Sequence, residues 1–202
     1  MKIIKYEKKG NNNYQIYLDN DKKIIINEDV ILKHKLLYKK EIDEFLLNEI
    51  IKDNNDYDIY NKCVKYIGVR LRSKEEITEF MKRKNVSPEL IEVTLEKLIK
   101  NKLIDDEMYV KAFIHDKMRF TTMGPYKIHD VLKKEHIDEV IICKYLDQIT
   151  DEFWEEKINK QIEKIIKNNK NKPNLRNKVY TNLMNLGYPV EMILSKISEY
   201  NL

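Results

Sequence analysis

Cysteine, glycine and proline are scarce: two, four and four among 202 residues. Cys63 and Cys143 both fall inside apolar helical patterns, so a disulfide framework is excluded and both read as core thiols in a reducing compartment. So few glycines and prolines leave no Gly-rich phosphate loop and no long flexible linker. Hydrophobic runs are only a few residues long, and the opening MKIIKYEKKG lacks the apolar stretch of a signal peptide. Neither a membrane span nor export is indicated, and a cytoplasmic protein is expected. An excess of one charge is missing too. The 38 basic and 34 acidic residues leave a net charge of only +4, so overall charge does not demand a polyanionic partner.

The chemistry of an enzyme is equally sparse. His34, His115, His129 and His136 are scattered, and no His-x-x-x-His or Cys-x-x-Cys spacing accompanies them. No nucleophile and base are recognisable as a pair. The strongest acidic cluster, Asp105-Asp106-Glu107, has the hard oxygens a divalent ion prefers. It also opens a helical pattern, where carboxylates cap orphan N–H groups and complement the helix dipole, and that is the favoured reading. No catalytic, cofactor-binding or metal-ligating residue is assigned, and the chain is not read as an enzyme.

What the sequence does contain is periodicity. Residues 1 to 27 alternate in strand fashion through Ile4 and Tyr6, then Tyr14, Ile16 and Leu18, then Ile24 to Ile26. Gly10-Asn11-Asn12-Asn13 and Asp19-Asn20-Asp21 supply the turns of a small β-meander. From Glu28 the period becomes helical, with Ile42, Phe45, Leu46 and Ile50 on one face, until the polar run Asp53-Asn54-Asn55-Asp56, taken as a break and a domain boundary.

Beyond it, one pattern recurs every 51 residues without a gap. Ile77, Ile128 and Val179 correspond, as do Met81, Leu132 and Leu183, then Val86, Ile137 and Tyr188. Leu90, Ile141 and Met192 follow, then Ile91, Ile142 and Ile193, and Leu95, Leu146 and Ile197. An earlier helix keeps the register through Cys63, Ile114 and Ile165. The Ser73-x-x-Glu76 capping box, Ser87-Pro88-Glu89, Gly124-Pro125 and Gly187-Tyr188-Pro189 divide each unit into three helices. The predicted fold is mainly α: three tandem three-helix repeats at 56–104, 105–150 and 151–202, stacked into an elongated curved array behind a 1–55 extension of β-meander and helix.

Basic residues cluster in this register. Arg70, Arg72, Lys74, Lys82, Arg83 and Lys84 bracket the second helix of repeat one; Lys117, Arg119, Lys127, Lys133 and Lys134 occupy the same region of repeat two. Repeat three carries Lys157, Lys160, Lys164, Lys167, Lys170, Lys172, Arg176 and Lys178. Such residues suit either ordinary solvated faces or a stripe that faces acidic protein or phosphates. Arg70 and Arg72 stand out, because arginine can pair bidentately with carboxylate or phosphate. Trp154, Tyr109 and Phe113 could stack on bases, but their spacing favours core packing.

At residues 67–86, IGVRLRSKEEITEFMKRKNV resembles the R-x-R-S-x-x-E helix-start pattern of the RecX family, bacterial regulators of the RecA recombinase. LIDDEMYVKAFI and GPYKIHDVLKKEHI follow in the order that family shows, and YQIYLDNDKKIIINEDVILKHKLL resembles the extension of its longer members. Where the family often has Gly before the hydrophobic residue closing the second helix, this chain has Asn85 and His136, keeping Gly only at Gly187; Lys102 likewise precedes Leu103. Asn and His still tolerate left-handed backbone. The resemblance implies a monomer, without cofactor, that lodges in the groove of the RecA filament on single-stranded DNA. It would restrain filament growth, ATP hydrolysis and strand exchange, with direct DNA contact possible. The alternatives are a stand-alone single- or double-stranded DNA-binding repeat, and an enzyme using the acidic cluster.

Overall fold

The computed structural model describes residues 1–10, 12–169 and 174–202. Ten α-helices and one three-stranded sheet are present among them, so the chain is mainly α. Backbone packing divides it into two compact units, residues 1–70 with 77–103, and residues 71–76 with 104–202. No helix of the described residues is long and apolar enough to cross a membrane.

In the first unit, β1 (Ile3–Lys8), β2 (Asn13–Leu18) and β3 (Lys23–Asn27) form an antiparallel meander with β2 in the centre. Asn11 of the first expected turn lies outside the described residues. Ile16, Leu18 and Ile26 point inward, where Val30 and Ile31 of α1 (Glu28–Lys33), Leu36 of a short 3-10 turn, Ile42, and Leu47 and Ile50 of α2 (Glu44–Ile67) cover them. A meander of this size needs such cover, since a few strands alone do not bury enough apolar surface.

Two expectations for this region change. Phe45 is 81% exposed and the inward position belongs to Leu47. The helix starts at Glu44, where Asp43 Oδ1 accepts from the Leu46 N–H at 2.7 Å, and that start sets its rotation. Nor does Asp53-Asn54-Asn55-Asp56 end the helix, because α2 runs through it for 24 residues. The boundary drawn at residue 55 therefore lies within one continuous helix. Its polar residues hold neighbouring elements. Asn54 accepts from the Asn27 N–H at 2.8 Å and donates to the Ile25 carbonyl at 3.2 Å, occupying backbone groups of the edge strand β3. Asp53 accepts from Lys33 Nζ at 2.5 Å and pairs with His34 Nε2 at 2.6 Å. These contacts offset the modest helix propensity of Asn and Asp, a few tenths of a kcal/mol each, roughly.

Helices α3 (Lys74–Lys82) and α4 (Pro88–Lys100) follow. The capping box is present in full: Ser73 Oγ accepts from the Glu76 N–H at 3.0 Å, and Glu76 Oε2 accepts from the Ser73 N–H at 3.3 Å. Ser87 Oγ accepts from the Leu90 N–H with Pro88 in the first turn.

The second unit holds α5 (Asp106–Phe120), α6 (Pro125–Lys134), α7 (Glu139–Leu146), α8 (Asp151–Asn168), α9 (Leu175–Leu186) and α10 (Val190–Glu199). The 51-residue register is visible in where helices begin: α4, α7 and α10 start at Pro88, Glu139 and Val190, and α3 and α6 at Lys74 and Pro125. It is equally visible in burial. Ile77, Ile128 and Val179 are fully buried, as are Met81, Leu132 and Leu183. Each such side chain contributes on the order of 1.5–3 kcal/mol by leaving water.

Helix ends repeat as well. Asn85, Lys102, His136, Gly187 and Asn201 all have φ between +53° and +83°. At each, a paired set of backbone bonds closes the helix, as from the His136 N–H to Lys133 O at 3.0 Å and from the Ile137 N–H to Leu132 O at 3.3 Å. This is the Schellman arrangement. The residue after the left-handed position returns to the core in all five: Val86, Leu103, Ile137, Tyr188 and Leu202 are buried or half-buried.

Within the second unit these turns are also where repeats meet. Ser73 Oγ donates to Glu135 Oε2 at 2.7 Å, and His136 Nδ1 lies 3.1 Å from Glu75 Oε2. One register later, the Gly124 N–H donates to Leu186 O at 2.7 Å, and the Tyr126 N–H donates to Gly187 O at 3.0 Å. The start of a repeat's second helix therefore sits on the turn between the second and third helices of the next.

Candidate partner-binding surface

The acidic cluster is consumed by the fold. Asp105 Oδ1 accepts from the Met108 N–H at 3.0 Å and caps its own helix, while Asp106 Oδ1 accepts from the Lys74 N–H at 3.0 Å and caps α3. Glu107 takes the Lys144 ammonium and the Tyr145 hydroxyl, and the hydrogen bond from Lys144 is the largest cause of its lowered carboxyl pKa. Each carboxylate thus has a structural partner.

The basic residues divide into those engaged by the fold and those presented outward. Arg72, a leading candidate, has a side chain only 11% exposed and contacts Glu76 Oε1 at 3.2 Å, bracing the capping box. Lys127 is half-buried, and its Nζ donates to Asn185 O at 2.9 Å. Arg70 and Lys74 are exposed. Lys82 pairs with Glu79 at 2.8 Å in the last turn of α3, and Arg83 and Lys84 beyond it are exposed. Lys84 lies over the Phe80 ring at 4.9 Å, and Phe80 stacks on Tyr66 with ring centroids 4.3 Å apart, a cation laid on an aromatic pair. Lys133 and Lys134 are exposed in the last turn of α6, where positive charge complements the helix dipole. Lys164 and Lys167 are exposed on α8; Lys170 and Lys172 lie outside the described residues.

One place in the second unit gathers several of these groups. The end of α5 and one face of α8 line a groove of about 390 Å³ with Arg119, Lys157, Lys160 and Lys164, together with Phe153 and the carboxylate of Glu156. Lys157 Nζ donates to Thr121 O at 2.7 Å, closing the C-terminal end of α5, and burial followed by the charge of Lys160 lowers its pKa. Lys160 is held by Glu156 at 2.5 Å. Arg119 lies over the ring of Phe120 at 5.2 Å, and Phe120, next in the chain to this groove-lining arginine, is 71% exposed. An aromatic face with a guanidinium and lysines beside it suits phosphates, stacked bases or an acidic protein surface.

The structure thus brings Arg119 and Lys164 together, and adds Phe120, which periodicity did not single out. The available signal was the Arg119-Phe120 pair at the polar end of an otherwise inward-facing helix. Trp154 and Tyr109 are buried, with Trp154 edge-on to Phe153 at 5.3 Å, and so serve the core. Cys63 is fully buried, and burial pushes its thiol up to about 11. Cys143, also expected in the core, is only half-buried, because Ile142 takes the inward position on α7.

Known proteins agree with this architecture. The family model for the first three-helix domain of RecX matches residues 60–98. The chain is 27% identical to the regulatory protein RecX of Listeria monocytogenes over 98% of its own length and 76% of that protein's. It is 29% identical to the regulatory protein RecX of Limosilactobacillus reuteri, over 93% and 72% of the two lengths. A crystal structure of a regulatory protein RecX superposes with a TM-score of 0.81 at 26% identity, covering 95% of this chain and 96% of the other. That of RecX from Lactobacillus salivarius gives 0.66 at 25% identity, over 74% and 98%. In sequence and in helical architecture, the chain is similar to the RecX family of regulatory proteins.

Proposed function

We propose that this protein binds the RecA recombinase filament on single-stranded DNA and modulates its assembly, ATP hydrolysis and strand exchange, within DNA repair, recombination and the SOS response. The observation that carries the reading is the basic groove of Arg119, Lys157, Lys160 and Lys164, with the exposed Phe120 against Arg119, in a chain similar to RecX proteins. The three repeats read at 56–104, 105–150 and 151–202 would give one chain several modest contacts, which reinforce one another. The protein acts as a cytoplasmic monomer that wedges or clamps without chemistry of its own. Further candidate contacts are Lys133, Lys134 and Lys167 in the second unit and, separately, Arg70, Arg83 and Lys84 in the first, while Arg72, Lys74, Lys82 and Lys127 support nearby turns.

The test is DNA-dependent ATPase activity of the cognate recombinase, read with co-sedimentation on its filament. Suppression at substoichiometric amounts is expected, and an unchanged rate with no co-sedimentation would sink the reading. The same groove also suits direct binding to a phosphodiester chain, as a stand-alone DNA-binding module. That second reading requires affinity for bare DNA that falls steeply with salt, by a log–log slope of roughly 0.7–0.9 per phosphate contact. Weak binding to DNA without the recombinase would leave the first reading standing alone.

A further inference from the structure

The α6–α7 hairpin carries a donor set that neither the groove nor the turns require. We propose that His129, Glu139 and Cys143 form a binding site for a divalent cation of borderline softness, with zinc the ion its chemistry fits. His129 stands on α6. Glu139 and Cys143 stand one turn apart on the same face of α7. His129 Nε2 is 2.5 Å from Glu139 Oε1, and Cys143 Sγ is 3.9 Å from that same oxygen. The three donor atoms all lie within 4.8 Å of one another, close enough for one ion with bond lengths of about 2.0–2.3 Å after small side-chain rotations.

Imidazole nitrogen, carboxylate oxygen and thiolate sulfur together select zinc or its neighbours over magnesium and calcium, which favour oxygen alone. The backbone beneath is fixed by the buried Leu132 and Ile142 and by the closed turn at His136. On its other side, His129 Nδ1 lies 3.8 Å from Asp130 Oδ1, an ion-pair distance too long for a hydrogen bond. Sulfur ligates as the thiolate, so the ion binds with loss of the thiol proton. Lys133 Nζ, 3.8 Å from Glu139 Oε2, is the competing cation, and its exposed side chain can swing into water. Sequence reading missed the set because His-x9-Glu-x3-Cys is not a recurring ligand spacing. The other grouping of this kind among the described residues, His34, Glu49 and Asp53, offers no sulfur, and its Asp53 already holds Lys33.

The test is titration of the reduced full chain with Co²⁺ and then Zn²⁺. A thiolate-to-cobalt charge-transfer band is expected to saturate at a single equivalent and to bleach with zinc. It should vanish in Cys143→Ser, weaken in His129→Ala and Glu139→Gln, and persist in Cys63→Ser. Without any variant, Zn²⁺ should slow modification of the Cys143 thiol by at least about tenfold, as expected for a sulfur held by the ion. The proposal is overturned if saturating Co²⁺ gives no such band or if the band survives Cys143→Ser. It is equally overturned if cobalt binds without a sulfur band and is lost in His34→Ala.

Discussion

Gly124 and Gly187 meet backbone to backbone: a Cβ on Gly124 would lie 2.6 Å from the Gly187 carbonyl oxygen, and one on Gly187 would run into the backbone of Lys127. Both ends of this contact are needed. Gly187 also holds φ at +83°, where an L side chain costs about 1–2 kcal/mol. Steric overlap adds about 1–3 kcal/mol. Gly187→Ala should therefore lower the melting temperature by roughly 5–15 °C, using about 2–4 °C per kcal/mol for a chain of this size. Gly124→Ala should lower it as well. The double variant should lose less than the two losses combined, because either methyl group already separates the same surfaces. Calorimetric or circular-dichroism melts measure all three, and a Gly187→Ala chain melting like the parent would refute the contact.

The corresponding contact one register earlier has no glycine at all, and here the limits of reading the sequence are clear. Hydrophobic period and capping residues make the helices, the register and the meander legible, since Ile77, Ile128 and Val179 report their burial directly. What they do not report is which polar residues the fold consumes. Arg72 looks like a surface arginine until its contact with Glu76 is seen. Asp106 looks like part of its own helix start until it is found capping α3. Asn54 looks like a helix breaker until it is found on the edge of β3. Each partner lies on another turn or element, and pairings of that kind leave no mark in local periodicity.

The left-handed helix ends yield a sharper prediction. Lys102 holds φ at +55°, and a glycine there removes the steric cost of a side chain in that conformation while raising the entropy of the unfolded chain. The first effect is the larger, so Lys102→Gly should stabilise the protein by about 0.5–1 kcal/mol. His136→Gly removes the same strain but also the contact with Glu75, so its gain should be smaller or absent. Chemical denaturation of the two variants side by side measures the difference. A Lys102→Gly chain less stable than the parent would contradict the account.

Asp53 gives the first unit a predictable acid sensitivity. Burial works against its charge, but hydrogen bonds from Lys33 and His34 outweigh burial and lower its carboxyl pKa. An acid whose folded pKa lies below its unfolded value, about 3.9, contributes stability that is fully present above that value. The contribution is lost as pH falls through the folded value. Asp53→Asn should thus be less stable than the parent near neutral pH, and the gap should close in acid. Melts of both proteins across that range test the sign, and a gap that widens in acid would reject the clamp.

Two arginines separate folding from partner contact. Arg72 braces the capping box behind a largely buried side chain, so Arg72→Glu places like charge against Glu76 and should lower thermal stability, along with any activity. Arg119 is exposed at the basic groove, so Arg119→Glu should leave the melt within about 0.5 kcal/mol of the parent, as surface substitutions do. Under the function proposed above, pairing it with Phe120→Ala should weaken suppression of the recombinase ATPase several-fold and reduce co-sedimentation with the filament. Full suppression by the folded Arg119→Glu, Phe120→Ala double variant would move the contact away from this groove. The exposed cations at Arg83 and Lys84, with the Phe80 and Tyr66 stack beneath them, would then be the next surface to reverse.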